Sequence, residues 1–205
     1  MLLKKKQIIV IHGGGVFVSY GEYINFLKKS KVSLDRKSDW KESLEKKLGK
    51  GFKVILPRMP NRNNARYLEW KIWFENFFPF LGKNVVLVGH SLGGIFLTRY
   101  LSENKFPKRI LTTILVAASY DNRKSETLSS GFVLKKDLSK LQKQSKKLIF
   151  FHSRDDKQVP FSSFEEYKKS LPKATFIEFK RRGHFNQSSF PEIVREIKKA
   201  FDLNK

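Results

Sequence analysis

Apolar residues along this chain gather in short runs separated by longer stretches whose apolar positions recur at helical spacing. Gln7–Ile11, Phe52–Leu56, Asn84–Val88, Ile110–Val116, Lys147–Phe151 and Thr175–Phe179 are short and rich in branched or aromatic residues, which predicts strands. Between them, Tyr23–Lys29, Ser38–Leu48, Ala65–Phe78, Leu92–Asn104, Phe161–Ser170 and Pro191–Phe201 carry the spacing of helices, with Asp39, Ser162 and Ser189 as start signals. Strand and helix alternate almost throughout. This pattern predicts an α/β fold: a three-layer, doubly wound, mainly parallel six-stranded sheet with right-handed crossovers and helices on both faces. No repeat, linker or second compositional block interrupts it, so residues 1–205 are expected to form one domain. With strand order 2-1-3-4-5-6, the loops after the first and third strands, His12–Val16 and His90–Gly94, flank the point where the order reverses and ligands bind.

Composition supports that picture and removes some chemistry. A chain of 205 residues with 40% hydrophobic and 14% aromatic content can bury a substantial core without staples. It has no cysteine, which excludes disulfides, thiolate metal sites and a cysteine nucleophile. The basic start Met1–Lys6 is followed by a short apolar run with no cleavage-site pattern, and no stretch is long enough to span a bilayer. A soluble, cytoplasmic protein is expected. Lys and Arg number 42 against 19 Asp and Glu, a net charge of +23 that would attract polyanions. The charge is mostly lysine scattered along helices and loops, without the arginine and aromatic interleaving of a nucleic-acid reader. Non-specific polyanion association is expected, and no specific nucleic acid.

The chemistry is concentrated where the run Asn84–Val88 breaks into Gly89-His90-Ser91-Leu92-Gly93. A buried strand turning sharply into a helix, with glycines where the two elements touch, projects Ser91 Oγ into a cleft as a candidate nucleophile. The N–H of Leu92 then faces the oxyanion that attack creates, and an N–H of Gly14 or Gly15, with Gly14 the assigned donor, would complete the hole from the neighbouring glycine loop. A dinucleotide reading of those glycines fails because Val18 stands where the third glycine belongs. The order serine, acid, histidine leaves one base: His12 lies in the glycine loop, His90 in the elbow and His152 before the acids, so His184 remains. In His152-Ser-Arg-Asp-Asp-Lys-Gln-Val-Pro160, both Asp155 and Asp156 follow the fifth strand, and Asp156 is favoured because its turn precedes the next helix. The histidines show no metal-ligand spacing, and neither metal nor cofactor is expected.

The motifs HGGG, GHSLGG, SRDDKQVP and GHF together resemble a compact α/β-hydrolase of the YdeN or retinoblastoma-binding-protein-9-like serine hydrolase group, and the likeness spans nearly the whole chain. The resemblance implies that Ser91, Asp156 and His184 form the triad. It departs over Val16–Gly51, which is long and lysine-rich and carries two helical stretches instead of about one. The segment Ala117–Lys146 is too short for a multi-helix cap, with only Lys136–Gln144 reading as a helix. An open cleft roofed by Phe17, Tyr20 and Phe132 is expected, and Arg181 and Arg182, just before His184, suggest a preference for acidic substrates. The function expected is hydrolysis of small esters, thioesters or amides through an acyl-enzyme on Ser91. The alternative is a catalytically idle binding protein on the same fold.

Overall fold

A computed structural model describes residues 5–32, 34, 38–120 and 129–202. Six strands, β1 (Lys6–Ile11), β2 (Phe52–Ile55), β3 (Asn84–His90), β4 (Arg109–Val116), β5 (Leu148–Ser153) and β6 (Thr175–Phe179), form one sheet in the order β2-β1-β3-β4-β5-β6. Every neighbouring pair is parallel. The described helices are α1 (Tyr20–Lys29), α2 (Trp40–Leu48), α3 (Tyr67–Glu75), α4 (Leu92–Glu103), α5 (Ser139–Gln144), α6 (Phe161–Ser170) and α7 (Pro191–Asp202). The strand order and the doubly wound plan are those expected from the sequence.

Successive strand side chains point to opposite faces, and here both faces are dry. Ile9, Ile11, Val85 and Leu87 pack against Trp70 of α3, Leu97 of α4, Leu141 of α5 and Phe164 of α6. Ile8, Val10, Val86 and Val88 pack on the other side against Trp40, Leu44 and Leu48 of α2 and Ile193 and Ile197 of α7. This explains why the central strands read as unbroken apolar runs. The first cluster is strongly aromatic, with Trp70, Phe74, Phe96 and Phe132 in edge-to-face contacts.

Helix starts show where local signals were sufficient. Asp39 caps α2, its carboxylate accepting from Lys41 N at 2.8 Å. Ser162 does not cap α6: that helix begins at Phe161 behind Pro160, so Ser162 lies inside its first turn. Ser189 likewise stands outside α7, whose first residue is Pro191, a ring pre-set for that position. Helix α1 starts at Tyr20, before the expected Tyr23, because Ser19 Oγ caps its first turn by accepting from Glu22 N. It buries no residue at all.

Candidate active site

The parallel sheet brings the C-terminal ends of β1, β3, β5 and β6 to one edge, and each supplies one part of the site. After β3 the chain turns through Ser91, which is held at φ 54°, a left-handed conformation that costs a non-glycine residue energy. A Cβ on Gly89 would strike the Gly93 carbonyl, and one on Gly93 would strike Ile11 O, so both glycines are required for helix α4 to sit against β1 and β3. The Ser91 amide donates to Val116 O at 2.9 Å, tying the elbow to β4. Ser91 Oγ makes no hydrogen bond among the described residues.

Beyond β5 and β6 the two other partners meet. His184 Nδ1 lies 2.8 Å from Asp156 Oδ2 and 3.1 Å from Oδ1, with both residues buried. Asp156 Oδ1 also accepts from Gln158 N at 2.8 Å and Val159 N at 3.0 Å. Burial pushes its carboxyl pKa up, but the hydrogen bonds from His184, Val159 and Gln158 outweigh this and hold it below the usual value. Asp156 is therefore an anion, the hydrogen-bond acceptor for His184 Nδ1–H. Asp155 does different work. Its Oδ1 accepts from Ser153 Oγ at 2.6 Å, Gly183 N at 2.8 Å and Arg182 N at 3.1 Å, clamping the loop that carries His184.

Helix α2, part of the long early segment, braces the same loop. Trp40 Nε1 donates to Phe185 O and Trp40 N donates to Gln187 O, each at 2.9 Å. Gly183 and Phe185, on either side of His184, both have positive φ, so the histidine is presented at a bend that these bonds stabilise. His90 adds a second brace: its Nε2–H donates to His184 O at 2.8 Å, and its Nδ1 lies 3.3 Å from Lys41 Nζ. Lys41 is also paired with Asp39 and stands over the Trp40 ring. Burial lowers the pKa of His90 well below its ordinary value, with the Lys41 charge adding to the effect, so the imidazole is neutral with Nε2 protonated. Sequence reasoning gave His90 no role beyond its place in the elbow and missed Lys41 and Trp40. No local signal marks them, since Lys41 and His90 are 49 residues apart.

The glycine loop after β1 lies against Ser91. A Cβ on Gly13 would meet Ser91 Cβ at 3.0 Å. The Gly15 N–H is taken by Arg62 O at 2.9 Å, while the amides of Gly14 and Leu92 have no hydrogen-bond partner among the described residues. His12 Nε2 accepts from Met59 N at 3.0 Å and His152 stands 3.1 Å from Val159 O, so these two histidines hold loops.

Ser91 and His184 open onto a cleft of about 280 Å³ whose other lining residues are all glycine or polar, including Gly14, Asp39, Lys41, Arg62 and Asn63. The aromatic roof expected from the sequence does not line it. Phe132 is fully buried in the α3–α6 core against Tyr67 and Trp70. Phe17 and Tyr20 meet Tyr23 in tilted ring contacts at the start of α1, where Tyr20 is 68% exposed. Aromatic rings went to the core or to each other because nothing in the cleft offers them apolar contact. Arg182 is also absent from the lining: it pairs with Glu192 at 2.6 Å and packs over Phe179. The polar SYDNRKSETL stretch falls partly on residues 121–128, outside the described residues. The predicted helix near Lys136–Gln144 is Ser139–Gln144, its Leu141 buried in the core and its Gln144 bonded to Leu101 O and Asn104 O of the α4 end.

Among the described residues, no helix is long and apolar enough to cross a membrane, and no group of three or more histidine, cysteine or acidic residues is arranged to hold a metal. The solved structure of the YdeN protein of Bacillus subtilis superposes with a TM-score of 0.75 at 22% identity, over 97% of this chain and 100% of that one. The same protein is 27% identical in sequence over 88% of this chain and 86% of its own length. The serine hydrolase RBBP9 of Rattus norvegicus is 27% identical over 72% of this chain and 77% of its own. The family model described as serine hydrolase matches residues 33–199, and the chain belongs to that serine hydrolase family.

Proposed function

We propose that this hydrolase cleaves small, polar esters through an acyl-enzyme on Ser91, with the whole chain acting as one domain. The observation that carries the reading is the 2.8 Å contact of His184 Nδ1 with an ionised, buried Asp156 at the edge of the cleft that Ser91 also lines. In this scheme His184 Nε2 takes the Ser91 proton as Oγ bonds to the carbonyl carbon, and Asp156 stabilises the imidazolium. The amides of Leu92 and Gly14 receive the oxyanion. His184 then gives the proton to the departing alcohol, and a water activated by the same base releases the acid and restores Ser91. A polar cleft favours short acyl groups over long aliphatic ones, because it offers little apolar surface to bury against.

Labelling with a fluorophosphonate and peptide mapping should place the adduct on Ser91. Ser91→Ala should lose both labelling and p-nitrophenyl acetate turnover, and equal turnover by purified variant and parent proteins would defeat the reading.

A further inference from the structure

Arg62 occupies a special position in the cleft. The turn that carries it is locked onto the glycine loop: Arg62 O accepts from Gly15 N at 2.9 Å, Ala65 N donates to Gly15 O at 2.9 Å, and Arg62 Nε donates to Gly13 O at 3.3 Å. Gly13 is in turn packed directly on Ser91. The turn is thus held to the glycine loop by two backbone bonds and by one from the guanidinium itself. Its Nη groups have no partner, and no carboxylate pairs with it among the described residues.

The other charges of the cleft are already committed. Lys41 is paired with Asp39 at 2.5 Å and bonded to His90, so those two cleft residues largely neutralise each other. The Arg62 charge is felt by the rest of the site. For His12 and for Lys41, burial comes first among the causes that lower the pKa, and repulsion from Arg62 adds to it. A planar fork of donors, fixed at its root and open at its tip, is suited to bidentate capture of a carboxylate.

From this we infer that Arg62 selects substrates carrying a carboxylate within a few bonds of the scissile carbonyl, making the cleft a site for half-esters of short dicarboxylic acids. The inference rests on the esterase reading and names its substrate class. It replaces Arg181 and Arg182 as the source of an acidic preference, since Arg182 is spent on Glu192 and neither residue lines the cleft.

The test compares p-nitrophenyl hemisuccinate with p-nitrophenyl butyrate at high ionic strength, where the general field of a +23 chain is screened. The parent should favour the hemisuccinate, and in Arg62→Gln the ratio of the two kcat/KM values should fall roughly 10- to 100-fold, as expected for loss of a hydrogen bond to a charged group. Lys173→Gln, which removes the same charge from an exposed remote site, should leave the ratio unchanged. Binding of monomethyl succinate to Ser91→Ala, followed by ligand-observed NMR with and without Arg62→Gln, reads the same site without turnover. Binding that depends on Arg62 in the absence of any esterase activity would fault the catalytic reading and leave the recognition intact. A ratio and a binding signal that Arg62→Gln does not move, or that Lys173→Gln moves equally, would overturn the inference.

Discussion

Two adjacent aspartates, alike in sequence, are separated by what each one accepts. Asp156 receives the His184 Nδ1 proton together with two backbone amides, whereas Asp155 receives Ser153 Oγ and the amides of Arg182 and Gly183. An amide in place of Asp156 can present an N–H to Nδ1 and stabilise the wrong tautomer, so Asp156→Asn should lower kcat for p-nitrophenyl acetate by on the order of 10⁴. Asp155→Asn keeps an acceptor oxygen for the loop amides, and its loss should be far smaller. A larger fall for Asp155→Asn would reverse the assignment. The ionised state of Asp156 also fixes a pH window. Its folded pKa lies below 3.8, so what it contributes to stability is present above that value and is lost as pH falls through the folded pKa.

At the scale of elements, the long early segment contains two helices of different character. Helix α2 places Trp40, Leu44 and Leu48 at successive turns in the core and ties the His184 loop through Trp40. Helix α1 has three charged side chains near its ends, Glu22, Lys28 and Lys29, no buried residue, and Phe26 left 46% exposed. Truncating Leu44, which is 1% exposed, removes a well-packed side chain and leaves a cavity; Leu44→Ala should cost about 2–5 kcal/mol of unfolding free energy. Phe26→Ala should stay within about 1 kcal/mol, since little of that ring is removed from water. Urea unfolding of the two variants measures the contrast, and equal losses would mean that α1 is held as firmly as α2. Because α2 also braces the site, Leu44→Ala should reduce turnover as well as stability.

Across the whole molecule, three of the four histidines, His12, His90 and His152, serve as hydrogen-bonding parts of loops. Burial is the first cause that lowers the pKa of His12, His90 and His152 from 6.5. In each case the unfolded chain binds a proton at a pH where the folded chain does not, so stability should fall as pH drops below 6.5 toward the folded values and be insensitive to these groups above it. The net charge of +23 works in the same direction, because each added proton increases self-repulsion. Urea midpoints measured from about pH 8 to about pH 5 should decline on the acid side, and His90→Gln, which cannot titrate, should show a shallower decline than the parent. A flat profile down to pH 5 in the parent would contradict the neutral state of these imidazoles.

The chain's local patterns by themselves determined the alternation of six strands with helices, the elbow at Ser91 and the choice of His184 as the candidate base. Each follows from short-range physics: apolar runs of strand length, glycines where two backbones touch, and an order of motifs that only one of four histidines can satisfy. The element ends were less legible, as at α6, where Pro160 and not Ser162 occupies the cap because chain geometry at the end of the β5 loop outweighs side-chain preference. Tertiary structure alone decided the surroundings of the site. Phe132, expected from the sequence over the cleft, is drawn into an aromatic core, while Lys41 reaches His90 across 49 residues and His90 reaches His184 across 94. Arg62 meets the glycine loop only because β1 and the turn before α3 come together at the same edge of the sheet. Periodicity encodes which side chains leave water, but the loops that converge at the strand ends carry no period, and their neighbours are set by how the layers pack.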